Sequence, residues 1–294
     1  MLAEMLFGCV VLGSEGSATY ERLVSTSDGD GADTTVSPSF NIDAGGFGVL
    51  EVKHSPVCNP MADDPGTDPN RKVYLRFDLA GVPISLVESA ALELNYSEPR
   101  NANAAVLMTD PILQLFDLHD GVPGDARPPG GWAENTMAWT DAPGNDVASY
   151  SDFLPGMTSE VGSMELPAVQ PVDGPVKLAT PALLDGVRGD TNGMLTLMLS
   201  LRFSSQNCQS QVITFESRES ADPEPSPPVL RLTVRGCGPA DLAEPFGTVN
   251  FFDISAYIGS YVQQQPGADL TAPLGAWNIF DVFAYIDLFN AGCP

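Results

Sequence analysis

Most of the chain, from residue 19 to residue 234, alternates short apolar segments with clusters of Gly, Pro, Asn and Asp. Apolar residues at every second position, bounded by turn residues, are typical of antiparallel strands in sandwiches and barrels. The pattern predicts a mainly β domain with one short helix at residues 183–187. The predicted strands are residues 73–78, 90–96, 112–117, 136–140, 195–203, 212–217 and 229–234.

The apolar spacing becomes helical in the last part of the chain, over residues 235–294. Side chains at i, i+3, i+4 and i+7 predict two helices, each with one buried face. The first face is Ile254, Tyr257, Ile258 and Tyr261, and the second is Val282, Tyr285, Ile286 and Phe289. The two segments are copies of one another, shifted by 28 residues. Such a duplication predicts one supersecondary unit that is used twice.

Oxygen-bearing side chains precede each of the two predicted helices. Each copy opens with an Asp and reaches its helix through the motif Gly-x-x-Asn-x-x-Asp. Calcium takes several oxygen ligands from one loop, with a glycine where the chain bends. Asp253 and Asp281 are also predicted to be helix N-caps, because short polar side chains favour that position. The predicted calcium ligands are Asp241, Glu244, Asn250 and Asp253 in the first copy, and Asp269, Asn278 and Asp281 in the second.

The duplicated motif resembles the dockerin family, whose repeated loop–helix module plugs into a cohesin. Residues 247–253 match the family's half-loop, and residues 275–281 match it with Trp277 in place of Val. The resemblance implies calcium as a cofactor and a cohesin-like protein or cell-surface anchoring machinery as the partner. Ala243 and Pro245 stand where the family has oxygen ligands, so the expected calcium sites are weak. The alternative is a metal-free helical pair in which the Asp residues only cap helices.

The composition of the chain argues against nucleic acids and anionic membranes as partners. The chain has 13 Lys+Arg against 38 Asp+Glu, a formal net charge of −25. Nucleic acids and anionic membranes are bound by basic patches, which this balance does not supply. A length of 294 residues accommodates one large domain and one small domain. We therefore expect domains at residues 19–234 and 235–294.

Five cysteines predict two disulfides. Cys237 and Cys293 bracket the duplicated unit and are predicted to pair, in a setting that resembles the GC-type variant of the dockerin family. Cys58 and Cys208 are predicted to pair within the larger domain, which leaves Cys9 over. There is no Cys-x-x-Cys or Cys/His cluster to indicate a zinc or redox site. Because disulfides persist in oxidising compartments, we expect a secreted or cell-surface protein.

Residues 1–18 have features of a truncated secretory signal peptide. An apolar run at residues 6–13 is followed by small residues at 14–18, as before a cleavage site. The basic n-region is missing, since the first basic residue is Arg22. The alternative is an N-terminal strand.

The larger domain resembles the DNRLRE domain and the related alginate-type carbohydrate-binding modules. The segments that carry this resemblance are residues 71–79, 82–84, 87–94, 132–143, 215–220 and 228–232. The resemblance implies a jelly-roll β-sandwich and a polysaccharide ligand. Trp132, beside two glycines, is the predicted carbohydrate-binding platform, whereas Trp139 is predicted to lie in the core. Arg218 and Glu219 are predicted to form an ion pair.

Motifs for catalysis are missing from the sequence. His54 and His119 have no evident nucleophile partner, and there is no Gly-x-Ser-x-Gly, phosphate-binding glycine loop or HExxH. We expect a non-catalytic, carbohydrate-binding sandwich that carries a dockerin-like module for attachment or complex assembly. The alternatives are a structural surface protein with a C-terminal anchoring or sorting tag, and a polysaccharide hydrolase or lyase, which needs only two suitably spaced carboxylates.

Overall fold

The computed structural model describes residues 19–38, 48–54, 70–97, 111–128, 130–149, 151–166, 175–203, 211–221, 226–271 and 275–293. The chain folds into two compact units, and each is described by itself. The first, here called the β unit, is Glu21–Val234. The second contains Arg235–Pro294 and the start of the chain up to Tyr20. Its described residues from 235 onward are here called the C-terminal unit.

The larger part of the chain is mainly β, as the apolar pattern predicts. The strands are β1 (Thr19–Ser25), β2 (Ala32–Val36), β3 (Val49–His54), β4 (Lys72–Asp78), β5 (Val87–Leu94), β6 (Pro111–Leu118), β7 (Thr158–Glu165), β8 (Val176–Leu178), β9 (Met194–Phe203), β10 (Gln211–Glu216) and β11 (Val229–Arg235). They form a four-stranded sheet in the order β1-β11-β5-β8, a five-stranded sheet in the order β2-β4-β9-β6-β7, and the pair β10-β3. The ladders are antiparallel, as in the pairing of β4 with β9.

Strand β4 lies inside the five-stranded sheet, between β2 and β9, and is buried along most of its length. Its Lys72 is fully buried. The Lys72 ammonium donates hydrogen bonds to Asn145 Oδ1 at 2.8 Å and to the carbonyl oxygen of Ser149 at 3.1 Å. It also lies 4.8 Å from the centre of the Trp139 ring. A buried charge needs such partners, so the loop before β7 is organised around this ammonium group.

Residues 136–140, predicted to be a strand, form turns instead. The N–H of Ala138 donates to Asp141 Oδ1 at 2.8 Å, and the carbonyl of Trp139 accepts from Asn145 Nδ2 at 2.6 Å. These local bonds use backbone groups that a ladder would need, which explains why the strand prediction is wrong. Trp139 is nevertheless buried, as predicted.

The other predicted strands and the helix are confirmed, within a few residues at their ends. Helix α1 (Pro181–Gly189) begins after Thr180, whose Oγ1 accepts from the N–H of Leu183 at 3.0 Å. Strands β1, β2, β3, β7 and β8 were not predicted. In β2 all five residues are buried, so the sequence shows no alternation, and β8 has only three residues.

The C-terminal unit contains helices α2 (Phe251–Val262) and α3 (Ile279–Ala291), with a short 3-10 turn at Pro266–Ala268. The predicted disulfide joins Cys237 to Cys293, with the Cα atoms 4.4 Å apart. The buried centre of the unit consists of Ala240, Tyr257, Ala268 and Tyr285.

The buried face of each helix is narrower than the spacing predicts. Tyr257 and Tyr285 are buried, whereas Ile258 and Ile286, predicted on the same faces, are exposed. The large tyrosine rings fill the space between the helices, so the isoleucines one position further along turn outward.

Three predictions fall on residues outside the described part of the chain: the leader at 1–18, the pairing of Cys58 with Cys208, and the unpaired Cys9. Among the described helices, none has the length and apolar character required to cross a bilayer.

Candidate functional site

The opening aspartate of each C-terminal loop supports the loop backbone. Asp241 Oδ2 accepts from the N–H of Cys237 at 2.9 Å and of Gly247 at 2.7 Å. Asp269 Oδ2 accepts from the N–H of Gly275, the residue that matches Gly247 in the repeat. Both glycines have positive φ, 84° and 89°, a conformation in which a side chain is strained. The remaining oxygens, Oδ1 of Asp241 and of Asp269, are buried without a hydrogen-bond partner.

The closing aspartate of each loop is fully buried and binds backbone donors. Asp253 Oδ1 accepts from the N–H groups of Leu242 at 2.7 Å and Ala243 at 2.8 Å, and its Oδ2 accepts from Asn250 N at 2.7 Å. Asp281 makes the equivalent bonds to Leu270, Thr271 and Asn278, with the Thr271 hydroxyl in addition. The Asn278 N–H is the largest cause that lowers the Asp281 pKa.

The N-cap prediction for these two aspartates is wrong by three residues. Asn250 and Asn278 are the N-caps, and their side chains accept from Phe252 N at 2.8 Å and Phe280 N at 2.9 Å. The aspartates are the N3 residues of two capping boxes, in which each carboxylate bonds back to the N-cap backbone. Glu244, the remaining ligand candidate, is exposed.

These contacts bear on the calcium prediction. Each loop offers one buried carboxylate oxygen without a hydrogen-bond partner, on Asp241 or Asp269. The carboxylates of Asp253 and Asp281 already accept several backbone N–H bonds. These bonds are the ones expected of the metal-free alternative, and calcium would have to compete with these donors for the same oxygens.

Apolar side chains project from the outer surfaces of both C-terminal helices. Those of α2, here called the α2 face, are Phe251, Phe252, Ile258 and Val262; those of α3, here called the α3 face, are Ile279, Phe280, Phe283 and Ile286. Phe251 is 72% exposed and Phe280 is 64% exposed. Three positions of one face recur in the other after 28 residues, so the repeat duplicates this surface as well as the core.

Trp132, predicted to be an exposed carbohydrate platform, is buried in the β unit at 6% exposure. Its Nε1 donates to Thr196 Oγ1 at 3.3 Å, and the Arg76 guanidinium lies 4.6 Å from its ring centre. The ring packs in a cluster with Tyr74 and Met198, so stacking on a sugar is blocked. The glycines before Trp132 suggested a surface loop, but the side chain turns inward from it.

An acidic cluster brings together three residues that are far apart in the sequence. Asp33, Glu134 and Glu219 each place one carboxylate oxygen within 4.8 Å of the others. Burial raises the pKa of Asp33 to about 6 and that of Glu134 to about 7. The predicted ion pair is confirmed, with Arg218 Nε 3.0 Å from Glu219 Oε1.

Two further contacts tie this acidic cluster together. The backbone N–H of Arg218 donates to Asp33 Oδ2 at 3.0 Å, and the N–H of Asp33 donates to Glu134 Oε1 at 3.0 Å. The oxygen spacing suits a divalent cation, but the Arg218 guanidinium already supplies positive charge there. We interpret the cluster as an internal polar network that joins β2 to the segment after β10.

His119 has a hydroxyl partner that the sequence did not reveal. Its Nε2 lies 2.7 Å from Ser159 Oγ, on an exposed part of β7. A catalytic pair of this kind also needs an orienting carboxylate and an oxyanion site. Among the described residues, no carboxylate is hydrogen-bonded to His119, so we assign no activity to the His119–Ser159 pair.

No protein-family model matches the chain, and no curated protein matches it significantly.

Proposed function

We propose that this chain is a non-catalytic protein that attaches to a partner protein through its C-terminal unit. The observation that carries the proposal is the distribution of exposed apolar surface. Among the described residues, nine of the twelve exposed large hydrophobic side chains lie in the C-terminal unit, and only Leu23, Val147 and Leu154 lie elsewhere. Clustered exposed apolar side chains are typical of interaction sites, whereas scattered ones are ordinary.

The duplicated arrangement supports a docking role. The α2 face and the α3 face lie on helices of the same construction. Each helix begins with a capping box, and each buries a tyrosine at the equivalent position of the repeat. A rigid scaffold that presents aromatic anchors loses little side-chain freedom on binding. Because the two faces are related by the repeat, the partner can engage either one, as the resemblance to dockerins implies.

The acidic character of the C-terminal unit indicates which charges the docking surface of the partner should carry. Residues 236–294 contain six acidic residues and no Lys, Arg or His. Of the acidic ones, Glu244 and Asp287 are exposed. We therefore propose a cohesin-like protein whose apolar docking surface is rimmed by Lys or Arg. The disulfide between Cys237 and Cys293 supports a secreted or cell-surface location.

The β unit is proposed to be the domain that the C-terminal unit attaches. The non-sequential strand order of its four- and five-stranded antiparallel sheets supports a jelly-roll sandwich. A polysaccharide ligand is part of this proposal, as the resemblance to alginate-type modules implies. It would need a surface other than the two tryptophans, since Trp132 and Trp139 are buried.

Affinity capture with the full chain as bait tests the docking role. The bait is exposed to the extracellular fraction of the source organism, beside a variant with both faces altered (Phe252→Ser, Ile258→Ser, Phe280→Ser and Ile286→Ser). The control bait is Val147→Ser, which removes an apolar side chain of comparable exposure from the β unit. We expect one secreted protein that the wild type and the control retain and the face variant does not. Equal recovery by all three baits, or no recovery by any, would favour a sorting or anchoring tag.

A further inference from the structure

One pair of side chains in the β unit places a primary amine against a carboxamide. Lys72 lies on β4, inside the five-stranded sheet, and Asn145 lies 73 residues further along the chain, between β6 and β7. Lys72 Nζ is 2.8 Å from Asn145 Oδ1. Lys72 is fully buried, and Asn145 is only 6% exposed. The two functional groups are therefore held in contact away from solvent.

The Asn145 carboxamide is fixed in orientation by hydrogen bonds at both of its ends. Its Nδ2 donates to the Trp139 carbonyl at 2.6 Å, and its Oδ1 accepts from Lys72 Nζ. Because Cγ is bonded to Oδ1, only a short movement of Nζ separates this hydrogen bond from attack on Cγ. Two groups that are held in a reactive orientation behave as if each were present at a very high concentration.

Lys72 Nζ has more acceptors around it than an ammonium group can satisfy. Besides Asn145 Oδ1, three backbone carbonyls accept from it, those of Asp146 at 3.3 Å, Ser149 at 3.1 Å and Asp152 at 2.5 Å. An ammonium group has only three N–H donors. When Nζ loses one proton, its two remaining N–H groups can bond to carbonyls, which leaves the lone pair for the Asn145 carboxamide.

The surroundings of Lys72 also favour the neutral amine, which is the form that acts as a nucleophile. Nζ lies 4.8 Å from the centre of the Trp139 ring and 4.6 Å from that of Phe153, and both rings are buried. Burial lowers the pKa of Lys72 to about 7, although the charges of Asp146 and Asp152 act in the opposite direction. Desolvation activates nucleophilic lysines in the same way.

We propose that Lys72 and Asn145 are joined by an isopeptide bond, which the folded β unit forms by itself. Nζ of the neutral amine bonds to Cγ, and the Cγ–Nδ2 bond breaks. Nδ2 leaves as ammonia, taking up one proton that Nζ gives up, and Oδ1 stays on Cγ. Overall, a lysine ammonium and a carboxamide become a secondary amide and an ammonium ion. The reaction balances without an oxidant, a cofactor or a separate enzyme.

The nearby carboxylates of Asp146 and Asp152 are available to accept the proton that the Lys72 ammonium first releases. Asp152 is exposed, so this proton passes on to solvent. The buried rings of Trp139 and Phe153 exclude water, which protects the new amide from hydrolysis. The bond fastens β4 to the connection between β6 and β7, and it does not depend on the proposed docking function.

Intact-mass spectrometry of the full chain, reduced and in denaturant, tests this bond directly. The folded protein is first incubated at pH 8, where the neutral amine predominates. We expect a mass lower by one ammonia molecule than the mass of the sequence. Trypsin does not cut after an acylated lysine, so the digest should contain a branched peptide that joins the segment of Lys72 to the segment of Asn145.

Variants of the two reacting residues are compared with matched controls. Lys72→Arg and Asn145→Asp should each keep the full mass of their sequences. Asn145→Asp preserves the side-chain shape and replaces the hydrogen bond by an ion pair, so it remains folded, as circular dichroism can verify. The controls are Lys177→Arg on β8 and Asn135→Ala in a turn, both at exposed positions, and each should lose ammonia as the wild type does.

Three results would overturn the proposal. The first is a folded wild type with the full mass of its sequence, which would make the pair of Lys72 and Asn145 a noncovalent contact. The second is a loss of ammonia from Asn145→Asp, which would place the reaction at another residue. The third is a branched peptide that joins a different pair of segments.

Discussion

The rings of Tyr257 and Tyr285 stack face to face, with centroids 3.9 Å apart and planes inclined by only 4°. The two residues occupy the same position in successive copies of the 28-residue repeat. Their hydroxyl groups cross between the copies: Tyr257 donates to the Ala268 carbonyl at 3.5 Å, and Tyr285 donates to the Ala240 carbonyl at 3.3 Å. Each copy therefore completes the core of the other, which makes the C-terminal unit one cooperative body.

This reciprocal stack should dominate the stability of the C-terminal unit. Tyr285→Ala should lower its free energy of unfolding by about 3–5 kcal/mol, because a buried aromatic ring is removed. Tyr285→Phe keeps the ring and loses only the bond to Ala240, a cost of about 1 kcal/mol. Calorimetric unfolding of the full chain measures both values. Equal effects of the two substitutions would show that the stack contributes little.

The capping boxes predict that substitution of Asp253 destabilises the C-terminal unit whether or not calcium is present. Asp253→Asn should destabilise the C-terminal unit by about 2 kcal/mol, since the amide cannot accept all the N–H bonds that the carboxylate accepts. The loss should be the same in excess calcium and in chelator. Asp287→Asn, at an exposed position of α3, is the matched control and should have little effect. A loss that appears only in calcium would instead identify Asp253 as a ligand.

Closure of the unit by its disulfide gives a third prediction. Cys237 and Cys293 are 56 residues apart, and closing a loop of that length contributes about 4 kcal/mol in the chain-entropy description. Cys237→Ser with Cys293→Ser should lower the Tm of the C-terminal unit and leave that of the β unit unchanged, as scanning calorimetry can measure. An unchanged C-terminal transition would contradict this.

The raised pKa of Glu134, caused mainly by its burial, gives the β unit a pH dependence. The folded-state pKa of about 7 lies above the ordinary value of 4.5, so folding favours the protonated form of Glu134. The contribution of Glu134 to the stability of the β unit is therefore fully present below pH 4.5 and is lost as the pH rises through 7. The charged groups that face it are Asp33, Glu219, Arg218 and Arg76. In chelator, the Tm of the wild type should therefore fall between pH 5 and pH 8.

Glu134→Gln isolates this contribution. The amide oxygen can still accept from the N–H of Asp33, but the group no longer titrates. The fall in Tm between pH 5 and pH 8 should be smaller in the variant. Burial also raises the pKa of Asp117 and of Asp125 to about 7, but these two groups contribute equally to both proteins. Identical slopes for the two proteins would contradict the proposed ionisation of Glu134.

Local patterns in the sequence predicted much of the fold, and the reason is physical. The repeat placed Tyr257 and Tyr285 on corresponding inward faces, because helical spacing fixes which side chains share a face. Strand β9 was predicted because its apolar run is long. Strand β2 was missed because it is buried on both faces, so its sequence does not alternate between apolar and polar residues. The cysteines that bracket the repeat were enough to predict the Cys237–Cys293 bond.

Contacts between distant segments could not be predicted from spacing. Its glycine neighbours led to the prediction that Trp132 is exposed, but its contacts with Thr196 on β9 and Arg76 on β4 hold it in the core. The close approach of Asp117 to Gly186 depends on how α1 packs beside β6, which no local sequence pattern indicates. The capping role of Asp253 was anticipated, but its position was not, because Asn250 precedes it and starts the helix.

Binding of a captured partner to face variants of the full chain tests the central claim most directly. Isothermal calorimetry would compare the wild type with the α2-face variant (Phe252→Ser, Ile258→Ser), the α3-face variant (Phe280→Ser, Ile286→Ser) and the combination of both. We predict that each single-face variant binds within about threefold of the wild-type Kd, because the other face remains available. The combined variant should bind about a hundredfold more weakly or not at all, as expected when aromatic anchors are lost. Wild-type affinity in the combined variant, with its Tm unchanged, would contradict docking through these helices.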